Sequence, residues 1–172
     1  YYNCMSRLDT QIGELLTVLR KSGKLSNTLV VYIGDHGADM LRGKRTSYEG
    51  GVRIPFILSW AGRWGAGRRH LELVSTLDLM PTFLHVAGIP QRKELPGRSL
   101  VPLLDGEAVD WREYLFTEFH LHSAHNYYPQ RTVRDDRFKL ICNLMPGTVN
   151  PGYEFTHKRF FKGLDRVIAA AK

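Results

Sequence analysis

The chain has 172 residues, 43% hydrophobic, 24% charged and 11% aromatic, a balance that fits an ordinary globular domain and argues against intrinsic disorder. No stretch approaches the about 20 uninterrupted apolar residues of a membrane span, and Cys4 and Cys142 fall outside any Cys-x-x-Cys spacing, which argues against a disulfide framework or a structural zinc site. A net charge of +7 suits a polyanion, whether nucleic acid, an anionic membrane, or an acidic or sulfated substrate.

The opening residues (YYNCMSRLDT) carry neither a start Met nor a signal-peptide layout, so the chain reads as internal to something longer. Apolar residues at Met5, Leu8, Ile12, Leu15, Leu16 and Leu19 recur in steps of three and four and predict a helix. Ser22-Gly23 stops it, with Arg20 and Lys21 suitably placed at the carbonyl end. On this helix Cys4 reads as a small core residue. Leu29 to Ile33 is a continuous apolar, β-branched run, the pattern of a strand buried on both faces in a parallel sheet. It leads into Gly34-Asp35-His36-Gly37, and in open α/β sheets ligand sites collect where strands end in such loops.

A glycine- and charge-rich loop over 38–54 precedes a second predicted strand over 54–60, with Pro55 acceptable only in its first turn or at an edge. A basic, glycine-rich connection (Ala61 to His70) leads to a helix capped at Ser75 or Thr76 and closed by Gly88, with Pro81 tolerated near its start. Residues 89–113, rich in Pro and Gly, read as a surface connection with a helical turn near Leu100 to Leu104. Beyond Trp111 come a strand-like run over 114–119, a hairpin of 131–133 with 138–144 turning at Asp135-Asp136, and a predicted final helix over 154–171. The fold class is α/β: the end of a sheet domain over 1–106, followed by a small antiparallel α+β portion over 107–172.

The densest chemistry lies in Gly34-Asp35-His36-Gly37, Gly43-Lys44 and Tyr48-Glu49-Gly50-Gly51. A carboxylate beside a second potential ligand, flanked by glycines that permit unusual backbone angles, suits a hard cation. Lys44 can swing over it as a point charge for an anionic group. The alternative from local chemistry is that Asp35 caps the loop, His36 is a satisfied polar residue and Lys44 is solvated.

The run VVYIGDHGADMLRGKRTSYEGGVRIPFILSW resembles the second signature region of the sulfatase family, in the alkaline-phosphatase-like superfamily, where a strand ends in Asp-Asn-Gly or Asp-His-Gly and Gly-Lys precedes Tyr-Glu-Gly-Gly-x-Arg-x-Pro. The preceding helix, STLDLMPTFLHVAGIP and PGRSLVPLLDG continue the match in order to about residue 106. The resemblance implies that Asp35 and His36 ligate an active-site Ca²⁺ and that Lys44 contacts the substrate sulfate, with metal and lysine offsetting transition-state charge. His36 stands where Asn is commoner, a softer donor whose role metal and sulfate can share. Glu49 and Arg53 read as loop-fixing by hydrogen bonds and ion pairing, and Gly50 and Gly51 as backbone permissiveness.

Sulfatases use a formylglycine made from Cys or Ser in Cys/Ser-x-Pro/Ala-x-Arg, and neither Cys4 nor Cys142 stands in that motif. The chain therefore reads as part of an enzyme whose nucleophile lies elsewhere, inactive alone, and periplasmic, secreted or lysosomal by resemblance. FTEFHLHSAHNYYPQRTVRDDRFKLICNL resembles the carboxyl-terminal region of heparan N-sulfatases, which implies that His120, His122, His125 and Arg131 face a sulfated carbohydrate. Alternate strand residues share a face, so His120 and His122 can point together; an incidental polar surface strand is the other reading. The turn from Arg134 to Lys139 reads as structural, with solvated charges. Neither nucleic acid nor membrane is expected as a partner. Two other classes stay open: a phosphodiester or phosphonate monoester hydrolase of the same superfamily, and a basic module binding heparin or nucleic acid through Arg42 to Arg45, Arg63, Arg68 and Arg69.

Overall fold

The computed structural model describes residues 2–40, 42–122 and 127–151. The chain divides into two compact units, one of Tyr1–Ile33 with Phe56–His70 and one of Gly34–Pro55 with Leu71–Lys172.

The first unit opens with α1 (Tyr2–Lys21). Its periodic apolar stripe forms the helix as expected, and Gly23, at φ 70°, ends it by donating its N–H to the Arg20 carbonyl at 3.0 Å. None of its residues is buried, so Cys4 is exposed and not a core residue. The apolar period marks a face that seeks a partner; it does not say that the partner lies within these residues. Strand β1 (Val30–Ile33) pairs antiparallel with β2 (Phe56–Ser59), Val30 facing Ser59 and Ile33 facing Phe56. This corrects the parallel, doubly buried strand: β1 is half-buried with Ile33 exposed, and its one partner among the described residues runs the opposite way. An apolar β-branched run reports a demand for burial, whereas direction is set by the connection.

The second unit contains α2 (Glu49–Val52), α3 (Leu79–Val86), α4 (Val101–Asp105) and a three-stranded antiparallel sheet of β3 (Leu115–Phe119), β4 (Gln130–Arg134) and β5 (Lys139–Asn143), with β4 central. The start of α3 is fixed by a capping box. The Ser75 hydroxyl accepts from Leu77 N–H, and Asp78 accepts from Ser75 N–H at 2.8 Å. Asp78 is wholly buried and also takes both Arg112 guanidinium nitrogens, at 2.6 and 2.7 Å, and the Arg98 N–H at 2.8 Å. The Thr82 hydroxyl donates to the Asp78 carbonyl at 2.6 Å and accepts from Leu100 N–H at 2.9 Å, which ties α3 to the entry of α4. Around this polar hub Leu100, Val101 and Leu103 form the buried apolar cluster of the unit.

The hairpin turns where expected, with Asp135 accepting the N–H groups of Arg137 and Phe138 at 2.8 and 2.5 Å. Those bonds to its ionised form hold the Asp135 carboxyl below its usual pKa. The flanking charges are not solvated, however: Arg134 and Lys139 both bind Glu49. The predicted helix over 154–171 lies outside the described residues. No helix among the described residues is long and apolar enough to cross a membrane.

Candidate anion and metal site

The site loop, 34–53, belongs to the second unit. It folds back on itself through main-chain bonds: Gly37 N–H to the Gly51 carbonyl at 2.9 Å, Lys44 N–H to the Ala38 carbonyl at 2.8 Å, and Gly43 N–H to the Met40 carbonyl at 2.9 Å. A side chain on Gly37 would collide with the Gly50 carbonyl, and one on Gly51 with the carbonyls of Gly43 and Thr46. These glycines serve close backbone approach, which corrects the reading that they supply unusual angles. The left-handed angles fall instead on Arg42 (φ 58°) and Arg45 (φ 71°).

Asp35 is open to solvent, with 86% of its side chain exposed, and one carboxylate oxygen accepts the His36 N–H at 2.9 Å. His36 Nδ1 lies 2.8 Å from the Gly37 carbonyl. A carbonyl cannot donate, so Nδ1 donates to it, and in the neutral ring Nε2 is then the acceptor. That Nε2 lies 3.3 Å from Asp35 Oδ2. One carboxylate oxygen and one imidazole nitrogen thus stand side by side, the tautomer fixed by a backbone partner as in metal-ligating histidines. This pair fits as part of a cation's shell. A Ca²⁺ ion takes about 6–8 oxygen ligands, and no group of three or more His, Cys, Asp or Glu residues able to hold a metal occurs among the described residues; the pair is a contribution, not a complete site.

Lys44 is half-buried. Next to it, Arg45 is buried and grips Asp39 with two parallel bonds at 2.5 and 3.1 Å, a bidentate geometry that fixes the guanidinium plane. His122 completes the cluster. Desolvation, then the positive charges of Lys44, Arg45 and His36, lower its pKa against a smaller opposing effect of Asp39. It is therefore mainly neutral at pH 7 and able to donate from one ring nitrogen and accept at the other.

The other expected substrate residues lie elsewhere in the unit. His120 Nε2 is 3.3 Å from a Glu118 carboxylate oxygen, and Arg131 pairs in register with Glu118 across β3 and β4. Strand alternation puts Arg131 on the face opposite Gln130, whose Oε1 accepts the Ser47 N–H at 3.2 Å and so turns toward the site loop. The structure brings His122 within electrostatic range of Lys44, Arg45 and His36, and leaves His120 and Arg131 with Glu118. His125 lies outside the described residues.

The model of the sulfatase family matches residues 1–89. The chain belongs to the sulfatase family. It is 31% identical over 83% of its length to an ulvan-active sulfatase of Formosa agariphila, and 33% identical over 83% to human N-sulphoglucosamine sulphohydrolase. It spans 28% and 30% of those two relatives' lengths. Among solved structures, a 2-O GAG sulfatase superposes with a TM-score of 0.73 at 26% identity, covering 95% of this chain and 39% of that one. The fold is thus that of alkaline-phosphatase-like sulfatases, and the family includes enzymes named for glycosaminoglycan sulfates.

Sequence reasoning overlooked three supports, two at this sulfatase loop and one at the start of α3. The Asp39–Arg45 pair could have been suspected, because Asp39 is the one acidic residue between His36 and Tyr48. The Ser75-x-x-Asp78 spacing announces a capping box, but nothing announces that Arg112, 34 residues on, binds the same carboxylate. The Gln130–Ser47 bond spans 83 residues and leaves no local trace. The Glu49 ion pairing was legible in kind; its partners, Arg134 at 2.8 Å and Lys139 at 3.0 Å, were not.

Proposed function

We propose that this chain is part of a sulfatase that hydrolyses sulfate ester or sulfamate groups on a sugar, such as a heparan-type glycosaminoglycan, in the periplasm, outside the cell or in a lysosome. The observation that carries the reading is the gathering of Asp35, His36, Lys44 and His122 in one unit of a sulfatase-family chain. Lys44 holds a sulfate oxygen as a point charge and offsets negative charge that builds in the transition state. Asp35 and His36 contribute two donors to a divalent cation, taken as Ca²⁺, with the remaining ligands supplied from outside this chain. When bound, that cation and a formylglycine nucleophile, also outside this chain, supply the polarisation of the sulfate and the attacking oxygen.

His122, held neutral beside Lys44, hydrogen-bonds the sulfated sugar without adding a charge that a cation would oppose. Arg45 orients the backbone on which Lys44 stands and leaves anion binding to Lys44, because Asp39 already takes its guanidinium. With nucleophile and remaining ligands elsewhere, the chain by itself turns nothing over.

The test is a substrate panel on the full-length protein that carries this chain: N-sulfated and O-sulfated glucosamine, an aryl sulfate and a phosphonate monoester, each with and without chelator. Turnover of a sulfated sugar, lost on chelation and restored by Ca²⁺, is the expected result. Preference for the phosphonate by tenfold or more in kcat/KM, or full activity in chelator, would overturn the reading.

A further inference from the structure

The net charge of +7 is not spread evenly. In the first unit Arg7, Arg20, Lys21, Lys24, Arg63, Arg68 and Arg69 stand against Asp9 and Glu14, so five of the seven net charges lie there, in fewer than a third of the residues. The site loop does not account for the excess, since Asp39 balances Arg45, and Glu49 binds both Arg134 and Lys139.

Two stretches of that first unit, 15–33 and 56–70, contain no Asp or Glu at all. The fold brings them together. Strands β1 and β2 pair along their length, and Trp60 Nε1 donates to the Ser26 carbonyl at 2.9 Å. The backbone at Gly62 lies so close to the same carbonyl that a side chain there would collide with it. The 61–70 connection is thereby held against the segment that carries Lys24, just beyond the end of α1. Arg20, Lys21, Lys24, Arg63, Arg68 and Arg69 are all exposed.

The surface is also stiffened. Trp60 and Trp64 meet edge to face, 5.7 Å apart at 84°, and the Arg63 guanidinium lies over both rings at 5.6 and 5.9 Å. Arg63 and Trp64 each donate an N–H to the Trp60 carbonyl at 2.9 Å, which closes the turn. A cation fixed on a braced turn, as Arg63 is, loses little freedom on meeting a row of anionic groups. Guanidinium is the planar donor suited to oxyanions.

We infer that the 61–70 connection, together with Lys24 and the basic end of α1, is a second polyanion-binding surface whose ligand is a sulfated polysaccharide chain. The choice of a polysaccharide rests on the sulfated-sugar reading above. It is favoured over nucleic acid because the two tryptophans are half-buried with Arg63 over their faces, which leaves no aromatic platform for bases, and because α1 concentrates its charge at one end instead of along a groove-reading face. Such a surface retains a polymeric substrate between cleavage events by effective concentration.

The test compares binding of the full-length protein to size-defined heparin oligosaccharides over a series of salt concentrations, for wild type, Lys24→Ser/Arg68→Ser/Arg69→Ser and Arg69→Glu. The triple variant should bind at least tenfold more weakly, with a salt dependence shallower by about 2–3 in log–log slope, as counterion release predicts for three lost contacts. Arg69→Glu should weaken binding in the same direction. Turnover of a small aryl sulfate by both variants should stay within twofold of wild type. Wild-type-like heparin binding by the triple variant and by Arg69→Glu would overturn the inference. Tighter binding to single-stranded DNA than to heparin of equal charge would overturn the choice of ligand. Binding is read without turnover, so an enzyme inactive on sulfates would defeat the proposed function and leave this comparison to decide on its own.

Discussion

Arg45 combines two costs, a buried cationic side chain and a left-handed backbone at φ 71°. A non-glycine residue in that region costs about 1–3 kcal/mol and persists where its surroundings over-determine it. Here the bidentate grip of Asp39 supplies that constraint, and the strained peptide immediately follows Lys44. Asp39→Asn should therefore cost about 3–5 kcal/mol by leaving a buried guanidinium without its carboxylate, read as a lower denaturant midpoint with unchanged m-value. A cost under about 1 kcal/mol would show that Arg45 has another adequate partner. Asp78 makes the same argument away from the site: Asp78→Ala strands Arg112 and removes the capping box, and should unfold the second unit at temperatures where wild type is intact, as followed by circular dichroism.

At the scale of elements, contacts from Gln130 to Ser47 and from Arg134 and Lys139 to Glu49 join the β4–β5 hairpin to the site loop. Burial pushes the Glu49 carboxyl up, but the hydrogen bond and charge of Lys139, then the charges of Arg134 and Arg53, outweigh it and hold the pKa below the usual 4.5. A carboxyl depressed on folding adds stability that is fully present above its unfolded pKa and is lost as pH falls through the folded one. Glu49 is 43% exposed, so solvent screening limits this to about 1 kcal/mol. Glu49→Gln should accordingly lower the melting temperature by a few degrees at pH 7 and by progressively less below pH 4.5; a difference that stays constant down to pH 3 would contradict the ion-pair account. The same elements show what a sequence discloses. Helix α1, the N-cap at Ser75 and the Asp135 turn are written in residues two to four apart and were legible. Strand direction at β1 and the partners of Glu49, 85 and 90 residues away, depend on contacts that no local pattern encodes.

Over the molecule, the buried apolar residues among those described are few and all in the second unit, while Leu15 and Val18 on α1, and Phe116 and Leu140 on the outward face of the three-stranded sheet, are widely exposed. Apolar surface left open on this scale marks faces that other chain segments cover. The chain expressed alone should bind a hydrophobic dye strongly and aggregate at micromolar concentration, whereas the full-length protein should do neither; a sharp, dye-free two-state melt of the isolated chain would contradict this. Charge follows a different division, with most of the excess on the unit that lacks the site loop, so +7 by itself says little about the chemistry at Lys44. The central claim is that Lys44 meets the sulfate. It is tested most directly by kcat/KM of the full-length protein and its Lys44→Ala variant on a sulfated glucosamine. The account predicts a fall of about 10²–10³ with the fold intact, the loss typical of one preorganised transition-state contact, and a variant within threefold of wild type would contradict it.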